Sequence, residues 1–471
     1  MIDVEFRRAA PGADRPRVLP LVAGAPVPHD LAAPLHAAGF TAEAGAVLDL
    51  PGAPRRLVVG LGPKPDPRTA ETAGAAAALA AGEAAELALL AGALEPRLAA
   101  ALVAGIALGA WRFDALRTKD VPPRLKRLVV QADDPAAAAK AYDALAPGIA
   151  GCLLARDLTA QPANLLTTRR FAKRLAALEE QGIEVTVHGR GWLRRHGFGG
   201  LLAVGGGSAS PPRLVVLRWR GVLPVAPVAF IGKGIVFDTG GVSIKPAQGM
   251  EAMRADMAGA AACAGAMLAL ARRKSPTPAV AVLAIAENAT GGASYRPGDV
   301  IRTASRRTVE VIDTDAEGRI VLADAIHHAI AGFRPRAVID LATLTGSIIT
   351  ALGHHRAGIF GTDAALMAMA VAAGEAVGEP LWPMPIGARH REDLASDIAD
   401  LKQCAAGRGQ PDACHAAAFL REFVGERPWA HLDIAGVDTA EAAHALGPAG
   451  PTGFGARLLD RLVAMRFEAE P

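Results

Sequence analysis

The sequence predicts an α/β protein of two domains: a C-terminal α/β/α domain on a mostly parallel central sheet, and a smaller N-terminal α/β domain. Three observations predict it. The chain has 471 residues, more than a single core normally serves. Short apolar runs alternate with longer helical stretches from about residue 155 onward, the pattern of a parallel sheet covered on both faces. The composition, 51% hydrophobic and 21% charged, is that of a globular chain and excludes disorder over most of its length.

The N-terminal domain is expected over residues 1–150 and the C-terminal domain over 151–471. In the first, Leu57-Val58-Val59 reads as a buried strand, Ala75 to Leu94 and Leu98 to Asp114 as helices, and Arg124 to Gln131 as a strand. Gly60-Leu61-Gly62 lacks the third glycine and the distant acid of a dinucleotide site, so it reads as a tight turn. Ala136 to Leu158, interrupted at Pro147-Gly148, carries the chain between domains. Beyond it, strands are expected at 183–188, 213–219, 227–232, 279–286, 308–312 and 337–341, and helices at 168–181, 250–273, 317–332, 364–376 and 413–424.

Composition excludes several function classes. Lys+Arg is 50 against Asp+Glu 47, so net charge gives no reason to expect a nucleic-acid partner, and the arginine pairs are short and scattered. Cys152, Cys263, Cys404 and Cys414 show no C-x-x-C spacing, which predicts reduced structural thiols and a reducing compartment. The N-terminal MIDVEFRR leaves no apolar signal core, and the longest apolar run, Leu98 to Trp111, is too short to span a bilayer. A cytoplasmic protein without membrane contact is expected. Aromatics are only 4% while alanine and glycine abound, so helices are expected to approach closely through small side chains.

Three segments carry candidate chemistry. Val228 to Ile231 is a buried strand that runs into Gly232-Lys233-Gly234 and Asp238-Thr239-Gly240-Gly241, with Ser243 and Lys245 following. Ligands of open α/β sheets bind beyond the carboxyl ends of strands, where glycines admit close approach. The next helix places Asp256 beside an apolar face marked by Met253 and Met257; a buried carboxylate needs a cation or a partner, and an exposed aspartate beside Arg254 is the alternative. Then a strand hands over to a helix through Asp313, Asp315, Glu317 and Arg319. Carboxylates so crowded do not all ionise cheaply without cations, and hard divalent ions favour such oxygens. A hydrated acidic turn at a helix N-terminus is the alternative.

Taken together, GKGIVFDTGGVSIKP (232–246), MRADMAGAA (253–261) and DTDAEGRIVLADA (313–325) resemble the leucyl aminopeptidase (cytosol aminopeptidase) family of two-metal exopeptidases. ENATGGASYRPGDV (287–300), LATLTGSIITALG (341–353), SDIADLK (396–402) and WAHLDIAGVD (429–438) match as well, and the resemblance covers roughly 155 to 460, becoming fainter upstream around GAWRFDALRTK (109–119). It implies that Lys233, Asp238, Asp256, Asp315 and Glu317 ligate two divalent ions, Mn²⁺ or Zn²⁺, with Asp238 and Glu317 touching both. A metal-bridged water is the nucleophile in that family. The resemblance assigns Lys245 to polarising the scissile carbonyl and Arg319 to holding a bicarbonate that shuttles protons. It places Met253, Thr343 and Gly346 near the pocket for the N-terminal side chain, the Leu344 carbonyl on the substrate, and Asp313 near the substrate. It further implies a macro-like N-terminal domain with an assembly or regulatory role, a homo-hexamer, and short peptides as substrates with leucine among the released residues.

The chain departs from the family at Asp313, where asparagine is usual, and in GRGQPDACHAAAFL (407–420), an altered version of a glycine-rich segment. In that segment His415 is expected at the surface or in a structural role, with lining of the entrance as the alternative. His327, His328, His354 and His355 carry no metal pattern, and no Gly-x-Ser-x-Gly elbow appears. The rival reading is a catalytically altered or moonlighting member that binds DNA or protein; a further one is a metallohydrolase of a different amide.

Overall fold

The computed structural model describes residues 2–9, 12, 15–407 and 409–468. The chain divides into two compact units, Met1–Ala150 with Ala440–Gly450, and Gly151–Thr439 with Pro451–Pro471. Among the described residues, no helix is long and apolar enough to cross a membrane, and the four cysteines are all buried and form no disulfide.

The first unit contains β1 (Asp3–Arg7), β2 (Arg17–Leu21), α1 (His29–Ala37), β3 (Val47–Leu50), β4 (Arg56–Gly60), α2 (Pro67–Ala81), β5 (Glu86–Gly92), α3 (Pro96–Gly109), β6 (Arg127–Ala132) and α4 (Pro135–Asp143), and α5 (Ala146–Thr159) begins in it. The six strands form one sheet in the order β1-β6-β5-β2-β4-β3, antiparallel only where β3 meets β4. Asp66 starts α2: its carboxylate accepts from Thr69 N at 2.8 Å, Thr69 Oγ1 accepts from Asp66 N at 2.9 Å, and Pro67 follows. Helices α2 and α3 touch through backbone, as the small-residue composition predicts. A Cβ on Gly105 would lie 1.8 Å from the Glu71 carbonyl oxygen, so only glycine fits there.

One expectation fails in this unit. The run from Ala75 to Leu94 reads as a single helix, but the helix ends at Ala81 and Glu86–Gly92 is an inner strand paired with β6 and β2. Gly82 takes φ +61° at the break. An Ala/Leu run has no periodicity that separates a buried helix from a strand buried on both faces, so the partner strands decide.

The second unit contains α6 (Thr168–Ala176), β7 (Glu184–His188), α7 (Arg190–Arg195), α8 (Gly199–Val204), β8 (Arg213–Trp219), β9 (Val228–Asp238), α9 (Ala258–Arg272), β10 (Ala279–Asn288), β11 (Val300–Arg302), β12 (Thr308–Glu310), α10 (Glu317–Phe333) and β13 (Ala337–Ala342). It continues with α11 (Gly346–Leu352), β14 (Ala357–Gly361), α12 (Ala364–Val377), β15 (Leu381–Pro383), α13 (Ala388–Glu392), β16 (Leu401–Lys402), α14 (Asp412–Arg421), β17 (Trp429–Asp433) and α15 (Ala456–Leu462). The main sheet runs β15-β14-β17-β13-β9-β10-β8-β7. Its centre, β17-β13-β9-β10, is parallel, while β8 and β14 join antiparallel. Ala229, Ile231, Val280 and Val282 share a core with Ile320 and Val321 of α10. Gly232, on the opposite face of β9, lies against Ala260 of α9. The two helices thus cover opposite faces, which is why the central strands are apolar throughout.

Two further expectations are corrected. Residues 250–273 do not form one helix: a 3₁₀ turn covers Met250–Ala255, and α9 begins at Ala258. The break frees Asp256 to turn toward β9. The strand at 308–312 is shorter and leaves the main sheet to pair with β11 and β16.

A buried polar pair ties the sheet centre. Asp340 and His431 are register neighbours on β13 and β17. Asp340 accepts from Trp429 Nε1 at 2.6 Å and lies 2.5 Å from His431 Nδ1. Burial pulls the imidazole toward neutrality, and the Asp340 carboxylate outweighs it, leaving His431 above its usual value. Asp340→Ala strands both partners inside the sheet. It is expected to cost about 3–5 kcal/mol, measured by urea unfolding.

Candidate metal centre

The carboxyl ends of the parallel strands converge. Lys233 lies within β9 and Asp238 at its end, Asn288 ends β10, Thr343 follows β13, and Asp433 ends β17. The acidic turn Asp313 to Ala316 enters α10 at Glu317, and Asp313 Oδ1 accepts from Asp315 N at 2.9 Å, shaping that turn. Thr314 stitches the turn to the loop after β9: its hydroxyl donates to Gly240 O at 2.6 Å and accepts from Ser243 N at 2.8 Å.

Two lysines and four carboxylates meet there. Lys233 Nζ lies 2.8 Å from Asp256 Oδ1 and 2.7 Å from Glu317 Oε1, and donates to Thr343 O at 2.8 Å. Lys245 Nζ lies 2.9 Å from Asp238 Oδ2 and also contacts Asp315 Oδ1. Oxygens of Asp238, Asp315 and Glu317 fall within 4.8 Å of one another. Gly318 makes room for the lysine: a Cβ there would sit 2.8 Å from Lys233 Cε and 2.9 Å from Leu344 Cδ1.

Electrostatics mark the cluster as short of cations. Burial raises the Asp256 and Glu317 carboxyls above their usual range, and neighbouring carboxylates add to it against the pull of Lys233. Asp315 is pushed up to about 7 by burial, then by Asp238 and Glu317. Burial alone would lower both lysines, yet the carboxylates hold Lys233 and Lys245 well above the ordinary lysine value. Four carboxylates thus face two ammoniums. Asp256 Oδ2 is buried and accepts no hydrogen bond; Glu317 Oε1 and Asp315 Oδ1 meet the lysines outside hydrogen-bond geometry. Hard oxygen donors with unused lone pairs fit divalent cations. Lys233 could join as a ligand only by losing its proton, as a neighbouring dication would require.

A surrounding layer holds the donors in place. Asn288 Nδ2 donates to Asp238 Oδ1 at 2.7 Å and to Thr314 O at 2.9 Å. Tyr295 donates to the same carbonyl at 2.7 Å. Gln403, fully buried, donates to Asp313 O and accepts from Ile312 N, both at 2.6 Å. Asp433 accepts from Leu344 N at 3.0 Å and from the Thr345 hydroxyl at 2.7 Å, fixing the turn after β13. The sequence reading assigned none of these a role. Buried polar residues at the ends of apolar strands were the available signal.

The other candidates divide. Thr343 donates to Asp256 Oδ1 at 2.6 Å, and Leu344 is in the turn that Asp433 fixes. Met253 is half-buried in the 3₁₀ turn, and Gly346 is exposed at the start of α11. Arg319, 1% exposed, donates from Nη1 to Gln403 O at 3.0 Å and from Nη2 to Asp412 Oδ1 at 2.8 Å. Arg408, within the altered segment, lies outside the described residues. His415 is not a surface residue: it is fully buried on α14, with Nε2 3.1 Å from Asp393 Oδ2. His328 packs among Trp192, Phe198 and Phe333, where burial lowers it to about 4.

The chain is similar to known proteins over nearly its whole length. Residues 153–460 match the model of the cytosol aminopeptidase family catalytic domain, and residues 29–120 match that of its N-terminal domain. A probable cytosol aminopeptidase of Chelativorans sp. (strain BNC1) is 43% identical over 98% of this chain and 94% of its own. One from Caulobacter vibrioides is 43% identical over 91% of this chain and 90% of its own. Among solved structures, the bottromycin maturation enzyme BotP in complex with Mn has a TM-score of 0.86 at 36% identity, covering 96% of this chain and 99% of that one.

If the cluster binds divalent cations, Mn²⁺ or Zn²⁺ raises the melting temperature and chelation reverses the rise. Saturation at about 100 times Kd adds about 2.7 kcal/mol. Asp238→Asn is expected to abolish most of the rise in a calorimetric scan; an undiminished rise would place the ions elsewhere. Asn288→Ala, which leaves every donor present but frees Asp238, is expected to weaken metal affinity about 10–100-fold by titration calorimetry.

Proposed function

The chain belongs to the cytosol aminopeptidase family, and on that premise we propose that it releases N-terminal residues, leucine among them, from short peptides with two divalent ions at the centre described. Family membership makes it a peptidase hydrolase and supports metal-dependent aminopeptidase activity. The observation that carries the finer reading is the convergence of Lys233, Asp238, Asp256, Asp315 and Glu317 in one buried network.

These five residues would hold the metals, with Asp238 and Glu317 between the two. When bound, the ions would supply Lewis-acid polarisation of the scissile carbonyl, an anchor for the free α-amino group, and a water acidified toward neutral pH. The protein's part is arrangement. Asn288 and Thr343 orient the carboxylates of Asp238 and Asp256. Lys245 is held by Asp238 and Asp315, and its side chain is 22% exposed, so cations taking those carboxylates would leave the ammonium free to face a developing oxyanion. Thr343, Gly346 and Met253 would shape the side-chain pocket, and the Leu344 carbonyl would hold the substrate. Asp313 spends one oxygen on the acidic turn, which favours a shaping role over rejection of ordinary peptides.

Bicarbonate does not fit the residues around Arg319. Asp412 already answers the guanidinium charge from Nη2, and the Gln403 carbonyl takes Nη1. A homo-hexamer, a cytoplasmic location and an assembly role for the N-terminal domain belong to the same proposal and rest on the family alone. Manganese is the first metal to try, since a solved relative carries it.

The test is release of p-nitroaniline from leucine-p-nitroanilide, with Mn²⁺ or Zn²⁺ and after chelation. Metal-restored turnover is expected. Absence of turnover with any metal, on this substrate and on a dipeptide panel, would favour instead the DNA- or protein-binding alternative. Lys245→Ala is expected to lower kcat about 10²–10³-fold with the metals still bound. Glu317→Ala is expected to remove turnover altogether.

A further inference from the structure

We infer that Asp412 is the anion that Arg319 holds, so that this enzyme works without an exogenous bicarbonate. The inference rests on the aminopeptidase reading and departs from it at one point, the occupant of the arginine.

Arg319 stands on the first turn of α10, two residues after Glu317, and is 1% exposed. A guanidinium so buried needs a counter-charge within the fold, because a lone buried cation is strongly disfavoured. Asp412, the first residue of α14, provides it with Oδ1 2.8 Å from Nη2, and its own side chain stays 37% exposed. The Gln403 carbonyl takes Nη1 at 3.0 Å. A guanidinium grips a planar anion through one of two donor edges, Nη1 with Nη2 or Nε with Nη2. Nη2 takes part in both edges and already gives one of its hydrogens to Asp412. Nε has no hydrogen-bond partner, and what disfavours a further anion is the Asp412 charge already beside Nη2. A second anion there would set like charges side by side. The burial that penalises the Arg319 charge is offset first by Asp412.

The source of this carboxylate is the altered segment after β16. Pro411 ends the loop and Asp412 opens α14, which is anchored on the site by Ala413 N donating to Ser347 Oγ at 2.8 Å. A covalently attached carboxylate is present at every turnover and cannot be lost with dissolved carbon dioxide. Asp412 acts through Arg319 and is a positioning residue.

The experiment uses the full-length metal-loaded enzyme in buffer freed of carbon dioxide, with and without added bicarbonate or formate. The native enzyme is expected to turn over leucine-p-nitroanilide equally in all three. Asp412→Ala is expected to lose about 10–100-fold in kcat without anion and to regain most of it with bicarbonate or formate, at unchanged KM. Labelled ¹³C-bicarbonate is expected to show bound-state broadening with Asp412→Ala and none with the native protein. Stimulation of the native enzyme by bicarbonate overturns the inference. So does an Asp412→Ala enzyme that keeps its full rate without anion, or one that folds and is not rescued. If the alanine variant does not fold, Asp412→Asn, equal in shape and without charge, is judged by the same outcomes. If the native protein turns over no peptide substrate, the aminopeptidase reading fails, and the ¹³C measurement still decides what Arg319 holds.

Discussion

The surplus of buried negative charge at the ends of β9 and β13 is the constraint on which the rest of the site depends. Asp238, Asp256 and Glu317 are each under a tenth exposed, and Asp315 stands beside them. Carboxylates taken out of water repel one another and seek any cation in reach. Two lysines answer part of that demand, which is why both are held protonated so firmly. The remainder is what sets the cluster apart from a structural salt bridge and fits it to hold a cation. A balanced network would have every oxygen satisfied, whereas here Asp256 Oδ2 accepts nothing.

The fold serves this constraint at a distance. Four parallel strands end at one edge, so residues far apart in the chain arrive side by side: Asp238 and Asn288 are register neighbours on β9 and β10. The strands are rigid because α9 and α10 seal both faces, and α9 does so with small residues that let Gly232 lie against Ala260. The acidic turn, by contrast, is irregular backbone. It is held by side-chain hydrogen bonds from Thr314, Asn288, Tyr295 and Gln403. Packed strands place the candidate ligands of β9, and a hydrogen-bonded scaffold places those of the turn.

Arg319 shows how one buried charge shapes the chemistry next to it. In an open site the arginine would recruit an anion from solution. Here the chain brings its own, from a residue 93 positions away. That neutralises the guanidinium from within the chain while leaving the carboxylate partly in contact with water, an arrangement that trades dependence on a dissolved ion for dependence on the loop that delivers Asp412.

The sequence by itself determined the family and the strand-turn-helix units that carry the candidate site. Lys233, Asp238, Lys245, Asp315 and Glu317 sit within two short strings whose apolar strands and glycines are local features. It also determined the α/β class, since alternation of strand and helix is a local signal. Tertiary structure decided what local pattern leaves degenerate. Glu86–Gly92 is a strand because β2 and β6 flank it, and no periodicity in an Ala/Leu run says so. The helix expected over 250–273 is broken before Ala258, where Asp256 meets Lys233 of β9, a partner far away in the chain. The partner of Arg319 was likewise beyond reading from the chain: a charge pair is set by distance in space, and only the folded sheet brings α10 and α14 close enough for Asp412 to answer it.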